Sequence, residues 1–102
     1  MTRTDRLIEA ALEDALLTLD DLCRVGTVSP QWVRQRIEEG LLPAPGRDPA
    51  TWRFDVVTLT RVRHMVRIER DFDAPPELAA LVADLSEEIA ALRAKLRRAG
   101  LE

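Results

Sequence analysis

The chain has 102 residues, 46% hydrophobic and 32% charged, with a net charge of −3, which suits one globular domain plus an arm and excludes a disordered or multidomain protein. No apolar run is long enough to span a bilayer, and the opening MTRTDRLIEA carries charge where a secretory leader needs an apolar centre. Cys23 is the lone cysteine and His64 the lone histidine, so an internal disulfide and a Cys/His zinc set are both excluded, and a reducing, cytoplasmic setting is expected.

Three helix starts share one grammar. Thr18 precedes LDDLCRV, with Asp21 three residues on, the spacing of a capping box. Ser29 is followed by Pro30, at the helical position where a missing N–H costs nothing. Asp55 precedes VVTLTRVRHMV and can cap that helix. Across the caps, Leu17 with Leu22, Val28 with Val33 and Phe54 with Leu59 stand at hydrophobic-staple spacing. Only Gly26, Thr27 and Val28 separate the first two helices, a glycine-containing turn that makes a helix-turn-helix. Its expected core is Leu19, Leu22, Cys23, Val33 and Ile37, with Cys23 a compact buried residue rather than a reactive one.

Gly40 is a stop for the second helix. The prolines and glycine of LLPAPGRDPATWRF then bar a helix, and Leu41–Leu42 and Trp52–Phe54 read as extended segments around a turn. The expectation is a two-stranded wing, with Trp52 and Phe54 on one strand face packed against the third helix. That helix should run from about Val56 to Arg70, with an inward stripe of Leu59, Val62, Met65, Val66 and Phe72. His64 and the arginines at 61, 63, 67 and 70 fall mainly outside the stripe, as a solvated face.

Asp73-Ala74-Pro75-Pro76 sets a boundary, because a residue before proline is pushed out of helical conformation. Beyond it, Leu78, Val82, Leu85, Ile89, Leu92 and Leu96 repeat at 4-3-4-3-4, nearly three heptads with β-branched residues at one core position. A lone helix of this kind leaves its stripe wet, so it must pack on a partner or fold back. Opposite charges at Glu88 and Arg93 flank the stripe and suit pairing between chains, so a homodimer is expected. The fold class is mainly α: a winged helix-turn-helix with a short wing and a C-terminal heptad helix. Residues 1–17 form an arm, 18–72 the head and 73–102 the dimerisation helix.

The charge distribution bears on the partner. Residues 18–70 carry nine arginines against seven acids, and 71–102 carry four bases against seven acids. A DNA-binding face usually shows a clearer basic excess, so nucleic acid is a possible but disfavoured partner. Neighbouring acids such as Asp20/Asp21 and Glu38/Glu39 point about 100° apart on a helix and read as solvated or capping groups. Gly26, Gly40, Gly46 and Gly100 are too dispersed for a phosphate-binding loop. No catalytic, metal-binding or cofactor-binding set is expected, and the chain reads as a binding protein rather than an enzyme.

From Thr18 to Leu42 the sequence resembles the first half of a MerR-type domain. VSPQWVRQRIEEGLLP has that superfamily's turn, second helix and Gly-Leu-Leu exit. MerR transcription factors typically carry two tyrosines where this chain has Gln35 and Arg36, and a Gly-Tyr-Arg wing where it has Thr51-Trp52-Arg53. EEGLLPAPGRDPATWRFD and RVRHMVRIERDFDAPPELAALVADLSEEIAALRAKL resemble the chaperone modulatory (CbpM) family, as does LTLDDLCRVGTVSPQW, so the resemblance covers nearly the whole chain. Ala74-Pro75-Pro76-Glu77 departs from relatives that tend to carry asparagine or tryptophan and then a glycine segment.

The resemblance implies binding to the J domain of a CbpA/DnaJ-type co-chaperone and restraint of its action on the Hsp70 partner DnaK. J domains present a basic second helix, to which an acidic modulator is electrostatically suited. The acids expected to make the contact are Glu69, Asp71 and Asp73. The competing implication is a MerR-type, HspR-like DNA-binding regulator, in which Arg34 and Gln35 approach base edges and Arg53 a phosphate.

Overall fold

The computed structural model describes residues 16–101 of the chain. Apart from Leu16 and Leu17, the expected arm over residues 1–17 lies outside the described residues. Helix α1 is Leu19–Gly26, α2 Pro30–Glu38, α3 Val56–Phe72 and α4 Pro76–Arg98, with a short 3-10 turn at Pro49–Thr51. All three expected caps form. The Thr18 hydroxyl accepts from the Asp21 N–H at 3.1 Å while the Asp21 carboxylate accepts from the Thr18 N–H at 3.4 Å. Ser29 Oγ accepts from the Trp32 N–H at 3.1 Å, and Asp55 Oδ1 from the Thr58 N–H at 2.9 Å. Each satisfies an amide that the first helical turn leaves without a partner.

The turn between α1 and α2 is built differently from its sequence signal. Gly26 is the last residue of α1, and the left-handed position falls on Thr27, at φ 57°. Glycine is needed at 26 for closeness instead. A Cβ there would stand 2.9 Å from Val62 Cγ1, so its absence lets α1 lie directly on α3. Helix α2 ends as expected at Gly40, whose φ of 76° reverses the chain. The Gly40 N–H donates to the Ile37 carbonyl and the Leu41 N–H to that of Arg36, a Schellman closure.

The expected wing is not formed: there is no β-strand among the described residues. Pro43 and Pro45 remove two amide donors where a strand from Leu41–Leu42 would have to pair. Phe54 bridges to Leu17 instead, each N–H donating to the other's carbonyl at 2.8 Å. The intervening loop folds over Trp52, whose Nε1–H donates to the Gly46 carbonyl at 2.9 Å. Both aromatics are buried, edge to face at 6.0 Å, so their expected core role holds without the strand.

Helix α3 is the hub, packing against α1 on one side and α4 on the other. Leu17, Leu22, Val33, Phe54, Val62 and Met65 form the fully buried centre around it. Phe72 departs from expectation: it is 73% exposed. It shares Met65's face at seven residues' remove, but the core beneath that face stops before the last turn of α3.

Helix α4 has two opposed apolar faces. Ala79, Ala80 and Ala83 are buried against the head. At about 100° per residue, the leucine stripe falls on the opposite side of the helix. Leu78, Leu85, Ile89, Leu92 and Leu96 are each about half exposed, and Val82 is half-buried. Leu81, which the heptad count passes over, joins the stripe at 53% exposure. The chain therefore folds back through its alanines and leaves its leucines uncovered. No helix among the described residues is long and apolar enough to cross a membrane.

Candidate partner-binding surface

The acids expected to meet a partner sit at the end of α3 in two different environments. Glu69 is engaged inside the molecule: its Oε1 accepts from Arg36 Nη2 at 2.7 Å, with side-chain exposures of only 18% and 8%. The Arg36 guanidinium also lies over the Trp32 ring, 4.5 Å from its centroid, a cation–π contact that fixes its plane. Arg36 Nε and Glu69 Oε2 are buried without partners. This pair ties α2 to α3, so Glu69 braces the site rather than facing out from it.

Asp71 and Asp73 are exposed, and between them stands exposed Phe72. Asp73 takes the left-handed conformation, φ 49°, that ends α3, and aspartate tolerates this better than most residues. The joint thus carries an exposed aromatic between two exposed aspartates in the sequence, directly before the Pro75-Pro76 entry to α4.

Arg61 overturns another expectation, since it is not solvated. Its side chain is 12% exposed; Nη1 donates to Asp84 Oδ1 at 2.7 Å and to Glu87 Oε1 at 3.1 Å, and Nε to the Leu41 carbonyl at 2.9 Å. Burial works against its charge, but the hydrogen bonds and charges of Glu87 and Asp84 outweigh that and hold the guanidinium above its ordinary pKa. One side chain thereby links the exit of α2, α3 and α4.

A family profile described as MerR HTH family regulatory protein matches residues 17–99. The chain is 30% identical over 79 residues to the chaperone modulatory protein CbpM of Pseudomonas entomophila (strain L48), covering 78% of each. The chain belongs to the CbpM family. Within that family it is also 25% identical over 79 residues to the CbpM of Pseudomonas putida (strain W619), again covering 78% of each. It is 27% identical over 81 residues to that of Coxiella burnetii (strain Dugway 5J108-111), covering 79% of this chain and 76% of the relative. No solved structure matched the chain.

In this CbpM-family head, the residues that a DNA-binding reading requires are partly brought together. Arg34 and Arg53 line one shallow depression, but Asp20 lines it too, and Arg53 Nη1 donates to the Trp52 carbonyl at 2.7 Å. Gln35 is exposed elsewhere on α2, and no strand carries Arg53 forward. Cys23 is buried, as expected. Burial, with Asp20 adding and Arg34 opposing, pushes its thiol above the usual range and keeps it protonated.

Sequence reasoning missed Phe72 as a surface residue, Arg61 as a clamp and Leu81 as part of the stripe. A signal existed for two of them. Phe72 lies between two aspartates beside a proline joint, and Leu81 stands three residues from Leu78 and four from Leu85.

Proposed function

We propose that this CbpM-family protein is a chaperone modulator. On this reading it binds the J domain of a DnaJ/CbpA-type co-chaperone and blocks that domain's stimulation of the Hsp70 chaperone DnaK. The observation that carries the reading is the Asp71–Phe72–Asp73 knob. An exposed aromatic is the residue type that anchors interfaces, and neighbouring carboxylates select a basic partner. A basic amphipathic helix fits both parts, taking the ring into an apolar slot and pairing its own bases with the aspartates. Glu69 supports the knob by holding α3 through Arg36. The relatives' name, chaperone modulatory protein, supplies the partner class. Covering the helix that a J domain offers to its Hsp70 is mechanism enough without chemistry.

The protein acts, on the same reading, as a cytoplasmic homodimer through Leu78, Val82, Leu85, Ile89, Leu92 and Leu96, with Leu81 added. Six half-exposed aliphatic side chains along one helix are a larger uncovered ridge than a monomer ordinarily keeps.

Calorimetry with the J domain from the same cell is the test. Phe72→Ala should weaken binding at least about tenfold, as loss of an interface anchor does. Asp71→Lys with Asp73→Lys should weaken it further and flatten its dependence on salt. No heat and no inhibition of J-stimulated ATPase activity with the wild-type protein at about tens of micromolar, a weak affinity for a regulator, would retire the proposal. For the dimer, Leu85→Ala with Ile89→Ala should yield monomers in analytical ultracentrifugation.

A further inference from the structure

The outward arginines of α3 are treated in two opposite ways. Arg61 is held by two carboxylates, whereas Arg63, Arg67 and Arg70 make no ion pair with any described residue. All three are exposed. They stand at i, i+4 and i+7 and so share one face of the helix. Like charges at this spacing destabilise a helix rather than support it. They line a depression of about 210 Å³ that also takes in Val25, Val66, Thr27 and Asp71. Thr27 holds its left-handed conformation at the rim, an unusual state for a β-branched residue.

We propose that this arginine face is a docking surface for an acidic amphipathic helix of a protein partner. The guanidinium is a planar fork matched to carboxylates, and three in a row on one helix face pair with carboxylates at the same i, i+4, i+7 spacing on another. Val66, half-buried among these arginines, offers the apolar contact against which such a helix can lay an aliphatic side chain. A nucleic-acid backbone fits less well. It has no use for the aliphatic surface of Val66 beside the arginines. The pair that a phosphate backbone would favour, Arg34 and Arg53, lies at the opposite end of α1, beside Asp20. The surface borders the J-domain contact at Asp71 but selects a partner of the other sign.

The experiment uses the full chain and a fluorescein-labelled peptide of about twenty residues, long enough to hold a helix, with glutamates at i, i+4 and i+7 beside a leucine strip. Fluorescence anisotropy should show binding that falls at least tenfold in Arg63→Gln/Arg67→Gln/Arg70→Gln and is unchanged in Arg97→Gln/Arg98→Gln at the far end of α4. Thermal unfolding keeps the result interpretable: the triple variant loses like-charge repulsion together with the favourable charge of Arg70 in the last helical turn, so its midpoint should stay close to the parent's. Equal peptide binding by the two variants overturns the proposal. So does tighter binding of random duplex DNA than of the peptide by the wild-type protein at the same salt.

Discussion

The centre of the head and the outer face of α4 use the same material, branched aliphatic side chains at helical spacing, to opposite ends. In the head, Leu22, Val33 and Val62 are sealed by elements of their own chain, and the polar groups at the helix starts are capped. On α4 the alanines take the inner side and the larger leucines and isoleucine face outward. A helix required only for the monomer's stability would be oriented the other way, since burying leucine gains more than burying alanine. The difference separates residues that hold the head together from residues kept for contact with something else.

The tie between α2 and α3 is where the head is most exposed to a single substitution. Glu69→Ala strands the buried Arg36 charge and should cost about 3 kcal/mol, the usual penalty for removing one partner of a buried pair. Urea unfolding measures it; a loss below about 1 kcal/mol would put this pair with ordinary surface ion pairs. A matched substitution sharpens the contrast next. Leu22→Ala should destabilise the head by about 2–5 kcal/mol, as core truncations do. Leu92→Ala should leave a monomeric background within about 0.5 kcal/mol of its parent, as surface changes do, while weakening self-association. Similar losses at both sites would mean that α4's outer face is covered by its own chain.

The smallest effect concerns pH. Because the folded state raises the Cys23 thiol, it binds that proton more tightly than the unfolded chain does. Cys23's contribution is therefore complete below the ordinary thiol range of about 8.5 and declines as pH rises through the raised value. Urea midpoints should fall between neutral and strongly alkaline pH, and Cys23→Val should remove part of that fall. An equal fall in both proteins would assign it elsewhere.

What the sequence made legible was local. Thr18, Ser29, Asp55 and Gly40 act on amides and carbonyls within a few residues of themselves, so their spacing alone announced the helix ends. Features that depend on distant neighbours were not legible. The wing failed because Phe54 found Leu17, a partner 37 positions away, while prolines disarmed the nearer segment. Gly26 looked like a turn residue, but its missing Cβ serves contact with Val62. Arg61 read as solvated because Asp84 and Glu87 come within reach only when α4 folds back. At the candidate site, periodicity placed Phe72 on the correct side of α3 but could not show where the core ends. The acids at 71 and 73 were visible as charges, whereas the internal commitment of Glu69 required Arg36 to be seen beside it.

Helix α4 is buried only as far as Ala83, and 15 residues follow before its end at Arg98. At about 1.5 Å per residue, that outer segment reaches about 22 Å past the last alanine buried against the head. Over that length, a change of about 10° in the direction set at Ala83 is worth about 4 Å at the tip. The two bonds from Arg61 reach α4 at Asp84 and Glu87, just past Ala83, and so help fix the direction in which the leucine ridge leaves the head.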